Sequence, residues 1–394
     1  MTDDYTDGFR ETSTKSWFAR LGEAFVGILI GIVCFLASFP LLLWNEGRAV
    51  RTYLALQEGQ SAVLEIPSDR VDSAHEGKLV HVTGQATTTD LLRDDDFGIE
   101  INALRLKRVV EIYQWKETST SRTEKQVGGG EKTITEYSYS KVWSSEPIDS
   151  SRFKKPSGHT NTGSLIYTAR TQTAPKITVG AFTLSPRLAE SISRFEPLPA
   201  GASISDKASE EVKENWKQAG EWIYRGVDPA NPAIGDQRVQ FQAVQPTTVS
   251  LFSQQKGDSF TPYATQQGQS LERLEIGSHS AQEMFAHAHS ENTLLTWGLR
   301  VLGVVLMWLG ITLVFRPMVV LADVLPFLGG LVQAGVGLVA LLIALPLSLV
   351  TIAIGWIAFR PVLGIGLLVA AAVLFGGIWM LVRQRQAASP RVAR

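Results

Sequence analysis

Apolar residues run almost without interruption from Ala24 to Trp44, give way to a long polar block, and return from Leu294 nearly to the end of the chain. About 20 such residues cross the hydrocarbon of a bilayer as a helix, so 24–44 is predicted to span a membrane. Leu294–Phe315 forms a second span closed by Arg316-Pro317. Leu331–Phe359, broken by Pro346 and ended by Arg360-Pro361, forms a third, and Val362–Val382 a fourth. Residues 318–330 are apolar but carry Asp323 and Pro326, which predicts a short interfacial or re-entrant element. The fold class predicted is an α+β membrane protein. A cytoplasmic tail over 1–23 leads to one N-terminal span, a large β-rich extracytoplasmic domain over 45–293, three C-terminal spans, and a basic cytoplasmic tail over 383–394.

Inside the polar block the period falls to two, the mark of strands. Lys78–Gln85 alternates, and Leu104–Lys116 does so more strongly, with Thr133–Ile148 as its partner. The polar stretch between them ends in Gly128-Gly129-Gly130 and predicts a long, mobile hairpin tip. Tyr113, Trp115, Tyr137, Tyr139 and Trp143 fall near this hairpin, either as aromatic cross-strand pairs or as a partner surface. Ser185–Arg194 predicts a short helix. Pro197–Ser203 predicts a linker dividing subdomains at 45–200 and 201–293. Further strands are expected at Trp222–Arg225, Arg238–Val244 and Thr248–Gln254, and the faint likeness of the segments beginning at Gly77 and Gly235 suggests a duplicated β unit. Ser280–Asn292 predicts a helix that opens on a capping box, Ser280 to Glu283, and leads into the second span. Trp17, Phe18 and Leu21, with Lys15 and Arg20 nearby, predict a helix over 14–23 lying on the membrane surface.

Charge adds orientation. Lys15, Arg20, Arg316, Arg383, Arg385, Arg391 and Arg394 fall on one side of the four spans, against Arg48, Arg51, Arg300 and Arg360 on the other. The positive-inside bias then predicts cytoplasmic termini. A formal net charge of −1 and a pI near 6.6 argue against a nucleic-acid partner. Cys34, inside the first span, is the single cysteine, so the domain has neither a disulfide nor a thiolate zinc site. No Asn-x-Ser/Thr acceptor occurs. Both features fit a bacterial inner-membrane protein. The first span exceeds the apolar core of a signal peptide and lacks a small-x-small cleavage site, which predicts an uncleaved anchor.

Candidate chemistry is sparse. His279, Glu283 and His287 share helical spacing, with His289 close by, but Glu283 is already explained by the cap, and no metal, cofactor or catalytic residue is predicted. Nucleophile-elbow, phosphate-loop and dinucleotide patterns do not occur, and Asp94-Asp95-Asp96 reads as a solvated loop. Gly27 and Gly31 have the spacing that lets membrane helices approach closely, within one chain or between copies. Asp323 reads as an interfacial carboxylate near Arg316. Asn45, Glu46, Arg48, Arg300 and Arg360 mark the membrane interface, and Glu46 or Asn45 is predicted to pair with Arg300.

Asn45-Glu46-Gly47-Arg48 opens a set of ordered segments along nearly the whole chain. It includes Glu76-Gly77-Lys78-Leu79-Val80-His81, Val110-Glu111-Ile112-Tyr113-Gln114-Trp115, Ser280-Ala281-Gln282-Glu283-Met284-Phe285, Thr296-Trp297-Gly298-Leu299-Arg300 and Arg360-Pro361. On these segments the chain resembles the transmembrane protein 43 (LUMA) family. The resemblance implies four spans, cytoplasmic termini and a large domain on the lumenal side. It also implies the endoplasmic reticulum and inner nuclear membrane for eukaryotic members, with self-association and envelope partners, and supplies no catalytic site. The first functional expectation is a non-enzymatic, self-associating membrane organiser whose outer domain docks lipid or protein. An envelope enzyme or small-ligand binder using His81, His159 or acids is second, and a channel or transporter third.

Overall fold

A computed structural model describes residues 8–198, 206–357 and 361–387 of the chain. Two compact units emerge: a β-rich one from residues up to 11, 55–120 and 135–286, and a helical one from 12–54, 121–134 and 287 onward.

The β-rich unit holds two large sheets, antiparallel except where Leu64–Glu65 pairs parallel with Leu79–Thr87 in the second. In the first, β1 (Phe9–Lys15) lies at the edge, followed by β4 (Glu131–Ser144), β3 (Arg105–Lys125), β6 (Gln237–Val244) and β5 (Trp222–Arg225). In the second, β2 (Leu79–Thr87) pairs with β7 (Thr247–Lys256), which also carries β8 (Arg273–Ile276). Alternation sets the register. Val110 faces Val239 and Leu106 faces Ala243 in the first sheet; Val82 faces Leu251 in the second. A single core joins these residues to Phe97, Phe182 and Ile192. That core draws on both sides of residue 200, so the predicted division at 45–200 and 201–293 does not appear as a break in packing. Most of the predicted linker, residues 199–203, lies outside the described residues.

Four sequence expectations need correction. The strand predicted over 104–116 continues to Lys125, because serine and threonine pairs such as Thr118 with Ser138 and Thr123 with Thr133 extend the ladder where apolar alternation has stopped. The surface helix predicted over 14–23 is a strand as far as Lys15, and the helix begins at Trp17. Pro346 does not break the third span, and the fourth correction concerns residues 318–330, described below.

The helical unit is built on α1 (Trp17–Ala62) and α2 (Ala281–Val314). At the head of α2, Glu283 accepts from the Ser280 backbone at 2.8 Å while Ser280 Oγ accepts from the Glu283 backbone at 3.3 Å, the reciprocal cap predicted. After α2 the chain forms α3 (Arg316–Ala322), turns at Asp323, and continues as α4 (Pro326–Ile357) and α5 (Pro361–Ala387). The segment predicted as a short interfacial or re-entrant element is therefore a short helix, a turn and the first turn of α4. Trp17–Ala62, Ala281–Val314 and Phe327–Ile357 are long and apolar enough to cross a membrane, with a shorter apolar stretch at Val369–Met380. Phe25, Leu29, Val33 and Leu36 form an exposed apolar stripe along α1, as a lipid-facing surface requires. The opposite side of α1 packs on α2. A Cβ at Gly31 would lie 2.7 Å from the Gly310 carbonyl, and one at Gly310 equally close to the Gly31 carbonyl. Gly31 is thus used for packing within the chain.

Candidate functional site

Two charged clusters sit in the helical unit, one towards each end of the apolar part of α1. Glu46 is fully buried one turn past Leu42. Arg300, one turn into the apolar part of α2, donates to it through Nε at 2.7 Å and Nη2 at 2.8 Å. The Trp356 indole of α4 donates to the same carboxylate. Arg300 also lies against the rings of Trp297 and Trp356, 4.7 and 5.3 Å from their centroids. Gly355 leaves room for this, since a Cβ there would stand 3.1 Å from that of Glu46. Planar, bidentate pairing with stacking is what guanidinium does better than ammonium. Beside it, Arg48 donates to Asn292 and Thr296, both at 2.9 Å, and Asn45 Nδ2 donates to the Thr296 carbonyl at 3.0 Å. Of the two partners predicted for Arg300, the structure selects Glu46. Arg360 lies outside the described residues.

The second cluster centres on Asp323, which is fully buried. Its partners are not Arg316, as predicted, but Arg20 through Oδ2 and Lys125 through Oδ1, the latter at 2.7 Å. Arg20 also pairs with Glu131 at 2.7 Å and donates to the Gly129 carbonyl. Trp17 Nε1 donates to the Val320 carbonyl at 2.9 Å, and Gly128 N to the Val324 carbonyl at 3.1 Å. Gly129 adopts φ +82° and faces the Trp17 ring so closely that a side chain there would collide with it. The hairpin tip predicted to be mobile is therefore fastened to the start of α1 and the turn before α4. The predicted topology placed that tip on one side of the membrane and Arg20 on the other; the structure brings them together. The reason is electrostatic: a buried carboxylate needs counter-charges, and the tip provides Lys125.

In the β-rich unit the five singled-out aromatics separate into two groups. Tyr139 is buried, stacks on His159 at 3.9 Å, and donates to Glu117 at 2.6 Å; burial, then Glu117, push its hydroxyl pKa up to about 12. Trp115 meets His159 edge-on, and Tyr137 donates to Glu11 at 3.1 Å. Tyr113 packs on Trp143, and Arg238 is held between Trp143 and Trp222 at 4.3 and 4.1 Å. Tyr139 is consequently core rather than partner surface. The histidines named for the enzyme reading have separate settings. His159 is clasped by Tyr139 and Trp115, while His81 bonds the His279 carbonyl at 3.0 Å and burial lowers its pKa. Asp94, read as a solvated loop residue, is buried and bound by Arg108 at both oxygens, at 3.0 and 2.8 Å. Among the described residues no group of three or more His, Cys, Asp or Glu is placed to hold a metal ion.

A sequence profile described as Transmembrane protein 43 matches residues 112–361. Transmembrane protein 43 of Rattus norvegicus is 36% identical over 372 residues, which is 92% of this chain and 89% of the relative. The Homo sapiens protein of that name is 34% identical, covering 89% of each chain. The Drosophila melanogaster homolog is 29% identical over 87% of this chain and 92% of its own. No solved structure matches at a significant level. On these matches the chain belongs to the transmembrane protein 43 family.

Proposed function

We propose that this protein is a non-enzymatic membrane scaffold that associates with copies of itself and docks lipid or protein through its β-rich unit. Four membrane-crossing helices anchor it, with Val369–Met380 forming the core of the fourth. The Glu46–Arg300–Trp356 clamp fixes three of them in one arrangement, a stiff anchor rather than a moving gate. The observation that carries self-association is the hairpin tip. Thr123 and Lys125 line the same cleft as Thr312 and Leu313 of the apolar α2. On the edge of β3 that faces away from β4, Gly235, Asp236 and Asn161 bond the backbone of Tyr113 and Trp115, and past Trp115 no strand among the described residues pairs with it. Hydrocarbon does not tolerate an open strand edge, and a neighbouring copy would cover it. The basic bias of the Arg20 end favours the cytoplasm for that end, with the body of the β-rich unit on the other face.

Mass photometry of the full chain in nanodiscs tests the scaffold: particles of two or more copies are expected, and a uniformly monomeric population overturns it. Topology is tested by labelling single cysteines in a Cys34→Ser background with an impermeant reagent. Val127→Cys at the tip is expected to react from the cytoplasmic face, and Val227→Cys, 90% exposed in the β-rich unit, from the opposite one. Labelling of both from one face rejects the proposed topology.

A further inference from the structure

At the turn from α2 through α3 to α4 a cleft of about 380 Å³ opens in the helical unit. Its polar wall carries Arg20, Lys125 and Arg316; Leu313, Val319 and Val320 form its apolar side. Three cations face two carboxylates there, Asp323 and Glu131, and the carboxylates are already committed. Arg20 serves both, and Lys125 serves Asp323. Arg316 is the surplus charge. Its side chain is exposed and lies across Gly27, whose added Cβ would stand 3.8 Å from the arginine Cδ. Glu23, the other carboxylate within its electrostatic reach, is held by Lys15 at 2.7 Å.

The same elements turn apolar side chains outward. Phe18 of α1, Met318 and Leu321 of α3, and Phe327 of α4 are all more than half exposed. A cationic recess bordered by exposed aliphatic and aromatic groups matches one kind of ligand, an anion joined to hydrocarbon. Inorganic phosphate would use the recess and leave the apolar border without a role.

We infer that this cleft binds the headgroup phosphate of an anionic phospholipid, with Arg316 as its counter-charge and the acyl chains lying over Phe18, Met318 and Phe327. The site rests on the membrane-embedded reading above and adds to it a lipid contact in the helical unit, distinct from docking by the β-rich unit.

Native mass spectrometry of the full chain in neutral detergent tests this, titrated separately with phosphatidylglycerol, phosphatidylcholine and inorganic phosphate. Phosphatidylglycerol is expected to be retained preferentially. One basic residue near an anionic lipid surface contributes about 1 kcal/mol, so Arg316→Gln is expected to weaken retention about fivefold. Arg316→Lys, which keeps the point charge but not the fork, should retain most of the affinity and controls for folding. Equal retention of the two lipids, or wild-type retention by Arg316→Gln, overturns the site. Retention of inorganic phosphate as strong as that of phosphatidylglycerol reassigns it to a soluble anion and overturns the lipid. Copy number read from the same spectra separates the two ideas: monomers that still select phosphatidylglycerol count against the scaffold and leave the site standing.

Discussion

The clusters at Glu46 and at Asp323 use the same chemistry, a buried carboxylate answered by arginine, yet are assembled in opposite ways. Glu46 meets Arg300 and Trp356, all on long helices that pack through Gly31, Gly310 and Gly355. Asp323 is closed by the start of α1 on one side and by a strand hairpin on the other. The first cluster is a property of helix packing and survives as long as the helices align. The second depends on a loop arriving from elsewhere in the chain, so it is the weaker of the two and the better place for movement.

The largest effect should come from the first. Removing one member of a buried ion pair costs roughly 3–5 kcal/mol, so Glu46→Arg and Arg300→Glu singly should sharply lower thermal stability in detergent. The double exchange should recover part of the loss, and a double variant no better than either single one would show that the pair does not couple the helices. At the second cluster Asp323→Asn keeps the shape and removes the charge that holds Lys125. Arg20 retains Glu131, so global stability should fall by less, about 1–3 kcal/mol, while protease cleavage near Val127 should accelerate. Unchanged cleavage would place the tip's anchorage in Trp17 and the Gly128–Val324 hydrogen bond instead.

The smallest effect lies in the β-rich unit and calibrates the other two. Burial lowers the His81 pKa in the folded chain, whereas the unfolded chain keeps a value near 6.5. Below about pH 6.5 the unfolded state therefore binds a proton that the folded state refuses, and stability should decline as pH falls. His81→Gln should flatten that part of a melting-temperature profile between pH 7.5 and 5.5. An identical slope in the variant would remove His81 as its source.

How much the sequence revealed follows the same contrast. The apolar runs announced α1, α2 and α4, since twenty apolar residues have few other uses. Glu46 and Arg300 were legible as a pair because each stands at a comparable depth in adjacent spans. The Ser280 cap was legible because its partners are three residues apart. Asp323 was placed beside Arg316, its neighbour in sequence, when its partners are 303 and 198 residues away. No local pattern reports such separations. Strand β3 was cut short for a related reason: past Lys116 both of its faces are polar, and period-two reasoning has nothing to read. Likewise, Asp94 in a run of three acids looked solvated because burial by Arg108 is a tertiary fact.

Gly329 carries a consequence of its own. It sits inside α4 with no left-handed backbone requirement, yet a methyl group on its α-carbon would run into the Asp323 carboxylate. The acid and the glycine six positions later therefore share one fate. A chain that loses the acid removes the nearest obstacle but keeps the Cα of residue 323 at 2.8 Å from any added Cβ, and a chain that keeps the acid has a single residue type available there. A mutational scan should find this position as intolerant as a catalytic one, although it touches no ligand.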